Sequence, residues 1–125
     1  MADVTLTDFY TRVLRELKVV PPNGTANAED RQQVIDIYPH IHDLLLERDL
    51  IDFGVADSVP SRFVIPLSKI TAYQLTSEFS VSEIMLSLLK SEGELDASPI
   101  SKGERQLRKL MQRPYVESIV SNQYF

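Results

Sequence analysis

A chain of 125 residues, 43% hydrophobic and 25% charged, is long enough for one core and lies far from the apolar-poor, charge-rich composition of chains that stay unfolded. No run nears the roughly 20 apolar residues that cross a bilayer, and the opening MADVTLTDFY has neither a basic region nor an apolar leader core, which argues against a membrane or secreted fate. Zero cysteines exclude disulfides, thiolate metal ligands and a cysteine nucleophile, and a net charge of −5 argues against a free-standing DNA binder, which would be basic overall.

The first predicted helix is capped by Thr5 or Thr7 and carries Leu6, Phe9, Val13, Leu14 and Leu17 at spacings of three and four. It stops at the β-branched, proline- and glycine-bearing stretch Val19, Val20, Pro21, Pro22, Asn23 and Gly24. Asn27 caps a second helix, with Glu29 and Asp30 where acids favour the helix dipole. Val34, Ile37, Tyr38, Ile41, Leu44 and Leu45 extend its apolar stripe to about Arg48. Pro39 lacks the N–H of a helix interior and crowds the preceding turn at about 3 kcal/mol, which predicts a kink near Asp36 or two separate helices.

After Leu50 and Ile51, residues 52–61 (DFGVADSVPS) read as an irregular or hairpin-like loop. Arg62, Phe63, Val64 and Ile65 read as a short extended piece held out of helical geometry by Pro66. Pro66 suits the first turn of a third helix bearing Leu67, Ile70, Leu75 and Phe79 on its inner side. Ser80 or Ser82 caps a fourth, with Val81, Ile84, Met85, Leu88 and Leu89 apolar. Residues 92–99 (EGELDASP) mark a break, and a last helix runs from about Ser101 to Gln112 with Leu107, Leu110 and Met111 as its apolar side. The fold predicted is therefore all-α, a four- to five-helix bundle.

That last helix is electrically distinct. Residues 102–113 hold Lys102, Arg105, Arg108, Lys109 and Arg113 against Glu104 alone, a local +4, so the remainder carries −9. Lys102, Arg105 and Lys109 share a face with Arg108 at its flank; the face is either solvated, or it meets nucleic acid or an acidic partner. The ending, residues 114–125 (PYVESIVSNQYF), shows no helical period yet holds Tyr115, Val116, Ile119, Tyr124 and Phe125. Segments that stay disordered are poor in such residues, so this one is predicted to be an extended arm that docks on a partner.

Catalytic and metal-binding patterns are not visible. His40 and His42, two apart, fall on different faces of a helix; Asp36 and His40 share one, but two ligands do not make a site. Asp43, Glu47, Asp49 and Asp52 read as a solvated acidic face. No phosphate-cradling glycine loop, nucleophile elbow or His-Glu-x-x-His occurs, and the glycines at 24, 54, 93 and 103 form no known motif. The expectation is a protein with no catalytic, metal or cofactor site.

Taken in order, RELKVVPPNG closing the first helix, ANAEDRQQ opening the long second one, the run His42, Asp43, Leu44, Leu45, the FVIP entry to the third helix, Glu78 to Val81 after it, and a basic helix giving way to Arg113, Pro114, Tyr115, Val116 form a pattern. Over nearly the whole chain it resembles the head-to-tail adaptor (connector) proteins of tailed bacteriophages, including those termed packaged-DNA stabilisation or head-completion proteins. It departs from them in having Phe79-Ser80 where they often have Phe-Gly, and in the break at 92–99, where their fourth helix is often longer. The resemblance implies a helical domain (1–113) and a C-terminal docking arm (114–125), with about twelve copies in a ring. The arm, through Pro114, Tyr115, Val116, Ile119, Tyr124 and Phe125, would enter the portal protein assembly, and the opposite side would receive a tail or neck protein. The chain would be made in the bacterial cytoplasm and reside in the virion neck, its basic helix facing portal or packaged DNA. Two other classes fit the residues alone, a small acidic helix-turn-helix regulator and an antitoxin- or chaperone-like binding protein.

Overall fold

The structure, a computed structural model, describes residues 3–18, 27–79 and 81–121, with side chains to Met111. Among these it is all-helical: α1 (Leu6–Glu16), α2 (Ala28–Glu47), α3 (Ser61–Gln74), α4 (Glu83–Gly93) and α5 (Lys102–Ser121).

Four of the five starts follow from one short polar side chain each, which satisfies an N–H that the helix leaves unpaired. The Thr5 hydroxyl accepts from Asp8 N–H, Asn27 from Asp30 N–H, Ser82 from Met85 N–H and Ser101 from Glu104 N–H. Of the alternatives at α1, Thr5 is the cap, and Thr7 instead accepts from the Thr11 hydroxyl through its carbonyl. The α2 end is equally local. Asp49 turns left-handed (φ 57°), Asp49 N–H donates to Leu46 O, and Leu50 N–H reaches back to Leu45 O at 2.9 Å. This is the paired closure usually made with glycine at that position.

Two proline expectations are corrected. α2 is a single helix through Pro39, which overturns the alternative of two separate helices. Pro39 is exposed, so the carbonyl of Ile35 that lacks a helical partner lies on a side open to water, while Val34, Tyr38, Ile41 and Leu45 are buried along one stripe that only an unbroken helix aligns. α3 begins at Ser61, so residues 62–65 are helical and Pro66 lies inside the helix. Phe63, Leu67 and Ile70 are each at most 1% exposed, and their spacing of four and three brings them to one side only if the helix starts before Phe63. Burial of these side chains, about 1.5–3 kcal/mol each, outweighs the preference of Ile65 for extended backbone. α3 also ends earlier than expected, with Leu75 as its cap and the half-buried Phe79 beyond it.

The third correction concerns the C-terminus. α5 continues past Gln112 and Pro114 to Ser121, so the extended course expected from Pro114 is not seen over 114–121. A helix already nucleated upstream adds residues at little cost, and one missing N–H at Pro114 does not end it. The sequence held the signal, since Tyr115 and Ile119, and Val116 and Val120, are each four apart. The side chains of Arg113, Pro114, Tyr115, Val116 and Ile119, and all of Tyr124 and Phe125, lie outside the described residues, as does Ser80.

α3 is the hub, in contact with each of the other four helices, while α1 pairs with α2 and α4 with α5. Phe9, Val13 and Leu14 of α1 with Leu17 at its C-cap, the α2 stripe, and Phe63, Leu67 and Ile70 of α3 form the core, to which α4 contributes Leu89 and α5 contributes Leu107. Residues 52–60 are irregular as expected. Val4 and Val59 exchange two 2.8 Å backbone hydrogen bonds, which tie the start of the chain over the mouth of the core.

Tyr38 sits inside this core at 1% exposure, its ring 5.3 Å from Phe9, and its hydroxyl has no hydrogen-bond partner among the described residues. Burial, and secondarily the nearby Tyr10, push the phenol well above its ordinary pKa. The folded state therefore holds Tyr38 neutral where the unfolded chain would ionise it, so stability is intact below about pH 10 and falls as pH rises beyond it. Lys69 acts in the same direction. Burial works against its charge, but Glu16 and Glu92 together outweigh that and raise its pKa, so this contribution too is lost at alkaline pH. Tyr38→Phe is expected to raise stability by about 1 kcal/mol at neutral pH, by removing a buried unsatisfied hydroxyl, and to shrink the alkaline loss without abolishing it. Urea midpoints at pH 8 and pH 11 measure both; a variant less stable than the parent at pH 8 would show that the hydroxyl has a partner.

Candidate functional site

The chemistry-bearing side chains fall into three groups, and the first is structural. His42 is buried, and its Nε2–H donates to the Phe53 carbonyl at 2.7 Å. It is a link in a series of edge-to-face and tilted ring contacts in which Tyr38, His42, Phe53 and Phe63 follow one another at centroid distances of 5.9, 5.4 and 5.4 Å. His40 is exposed on another face. Asp43, Glu47, Asp49 and Asp52 are all exposed, as a solvated face requires, with Asp52 3.5 Å from Arg62. Among the described residues no three His, Asp or Glu side chains gather as a metal site.

The second group is a set of ion pairs that fastens the helices around α3. Lys69 on α3 donates to Glu16 of α1 at 3.0 Å and approaches Glu92 of α4 at 3.4 Å. Arg48, at the end of α2, grips Asp96 with two hydrogen bonds of 2.7 and 2.8 Å, and this bond, foremost, holds its guanidinium pKa above the ordinary value. Asp96 in turn presents its N–H to Glu104 at 3.1 Å, and Glu104, 1% exposed, receives both Nε–H and an Nη–H of Arg108. Sequence reading counted Glu104 as the lone acid of a basic stretch. Its four-residue spacing to Arg108 was the available signal of a pair.

The third group is the surface these fastenings leave over. Arg108 is engaged by Glu104, so Lys102, Arg105 and Lys109 remain as exposed cations on the described part of α5, and none of them makes an ion pair with a described residue. The predicted basic face therefore exists, with Arg108 diverted from it. α4 presents the opposite character. Its inward stripe is Met85, Leu89, Glu92 and Gly93, leaving Ile84 (85% exposed), Leu86 and Leu88 open. Periodicity alone missed this, because Ile84 and Leu88 also fit a helical spacing and only the packing on α3 decides which of the two stripes is buried.

No protein family, curated protein or solved structure matches the chain. Function is therefore argued from the chain itself. No described helix is long and apolar enough to cross a membrane. Among the described side chains, which end at Met111, Leu107 is the last fully buried member of the core, and Leu110 and Met111 are half-buried against it.

Proposed function

We propose that this chain is a head-to-tail adaptor of a tailed phage virion, a homo-oligomeric ring subunit that docks beneath the portal protein through residues 114–125 and connects it to the tail, helping retain packaged DNA. The observation that carries the reading is that the described side chains, which end at Met111, already form a core to which all five helices contribute, and that the sequence continues with Tyr115, Val116, Ile119, Tyr124 and Phe125. Apolar surface of that kind is worth about 25 cal/mol per Å² when a partner covers it. Two further features support it. Ile84, Leu86 and Leu88 give α4 an exposed apolar side suited to a neighbouring subunit, and the free cations of α5 suit an acidic protein surface or the DNA channel.

One such arm binds weakly, since the surface gained is offset by the rotational and translational freedom lost on association and by the ordering of side chains at the contact. A ring repeats the contact and converts weak sites into a firm joint through effective concentration. A chain ending at Arg113 is expected to lose only the helical circular dichroism that residues 114–121 contribute, to keep the urea midpoint of the full chain, and to lose attachment to the portal protein of its virion. Full binding by that truncated chain, measured by co-sedimentation with assembled portal, would refute the adaptor reading.

A further inference from the structure

Between the C-terminal half of α4, the connection at residues 94–101 and the start of α5 lies an open cleft of about 440 Å³. Lys90, Lys102 and Arg105 all line it, and so do Ser87, Ser91, Ser98 and Ser101. The volume falls in the lower part of the ~300–1,000 Å³ range of small-ligand sites.

Three cations in one concavity would ordinarily be offset by neighbouring acids. Here those acids are committed elsewhere. Glu92 turns to Lys69, Asp96 to Arg48 and Glu104 to Arg108. Glu94 alone shares the cleft, and none of the three cations makes an ion pair with a described residue. Arg105 has only a 3.5 Å contact to the Ile100 carbonyl, which leaves its remaining N–H groups free. Ser101 adds a fixed polar group: it is 3% exposed, its oxygen accepts from Glu104 N–H, and its own hydroxyl proton has no acceptor among the described residues. The same end of α5 brings the positive pole of a 20-residue helix to the cleft. Three cations lining one cleft beside the Ser101 hydroxyl, with almost no acid, are the complement of a tetrahedral oxyanion.

We infer that this cleft binds a phosphate group, held by Lys90, Lys102 and Arg105 and by the Ser101 hydroxyl. The phosphate belongs either to a free anion or to the backbone of a nucleic acid. The site is independent of portal docking, which needs residues 114–125 and none of these four.

The test uses the full ¹⁵N-labelled chain. Inorganic phosphate, titrated against sodium chloride at matched ionic strength, is expected to produce saturable amide shifts centred on residues 87–105. The triple variant Lys90→Gln, Lys102→Gln, Arg105→Gln changes only exposed side chains, so it should stay folded and bind at least about tenfold more weakly, since each charge-assisted hydrogen bond is worth about a factor of ten or more. Lys109→Gln, outside the cleft, should bind as the parent does. A second arm replaces phosphate with a short DNA duplex: affinity for the duplex that the triple variant loses and Lys109→Gln keeps identifies a polymer backbone as the source. Shifts no different from those of chloride, together with duplex binding weakened equally by Lys109→Gln and the triple variant or absent altogether, would overturn the assignment. So would phosphate binding that the triple variant retains undiminished.

Discussion

Gly93→Ala is expected to destabilise the fold by about 3 kcal/mol or more, although glycine to alanine in a helix normally stabilises it by about 0.5–1 kcal/mol. The reversal comes from what stands opposite. A Cβ on Gly93 would collide with the carbonyl oxygen of Lys69 and lie 2.8 Å from its carbonyl carbon and 3.0 Å from Ile70 Cα. All three are backbone atoms of α3, which cannot swing aside as a side chain would. Gly103 repeats the device on α5, where an added Cβ would come 2.5 Å from Glu92 O, 3.2 Å from Ile70 Cγ1 and 3.3 Å from Pro66 O. Gly93 thus brings α4 against the backbone of α3 and Gly103 brings α5 against the backbone of α4, both beside Ile70, and widening either crossing opens the core around Leu89 and Leu107. Because both glycines serve one junction, Gly103→Ala should be similarly damaging, and the double variant should cost less than the sum of the singles, once the first has already forced the helices apart. Gly54→Ala is the internal control, for there the obstacle is the side chain of exposed Asp57. Urea unfolding of the four variants measures this, and a Gly93→Ala protein as stable as the parent would mean that the helices do not cross so closely.

These glycines show where sequence reading reached its limit. Spacing and capping chemistry are local, so the cap at Asn27, those at Thr5 and Ser82 as one of two alternatives each, the start of the last helix near Ser101 and the stripes of α1 and α2 were legible, along with the all-helical class. Gly93 read as part of a break and Gly103 as an unremarkable helix residue, because the role of each depends on another helix lying against it: α3 at Gly93, and chiefly α4 at Gly103. Pro39 and Pro66 misled for a related reason: the local cost of a proline is readable, whereas the burial of Tyr38 or Phe63 that overrides it is a property of the assembled core. The basic face of α5 was visible as a charge count, but its division was not. Which cations stay free depends on Glu104, Glu92 and Asp96 each finding another partner, and the cleft beside Ser101 exists only once residues 94–101 have returned the chain across α4.

Leu107→Ala is expected to cost about 3 kcal/mol, near the middle of the range for fully buried leucines, and the loss should be unevenly distributed. Leu107 is the only fully buried apolar side chain on the described part of α5, with Leu110 and Met111 half-buried beside it. The other attachments are polar: the Asp96 N–H to Glu104 bond and the close backbone approach at Gly103. α1, α2 and α3 hold one another through the larger cluster of Phe9, Tyr38 and Phe63 and do not depend on Leu107. The variant should therefore release α5 before the rest of the molecule, so that amides of residues 105–111 lose hydrogen-exchange protection by a larger factor than those of α2 and α3. Uniform loss across all five helices would show instead that α5 unfolds only with the whole. The outcome bears on the adaptor reading, because α5 is the stem on which residues 114–125 are carried. If docking requires that stem to be anchored, Leu107→Ala should weaken attachment to the portal even though every residue of the arm is intact, and the deficit should grow with temperature as the stem detaches.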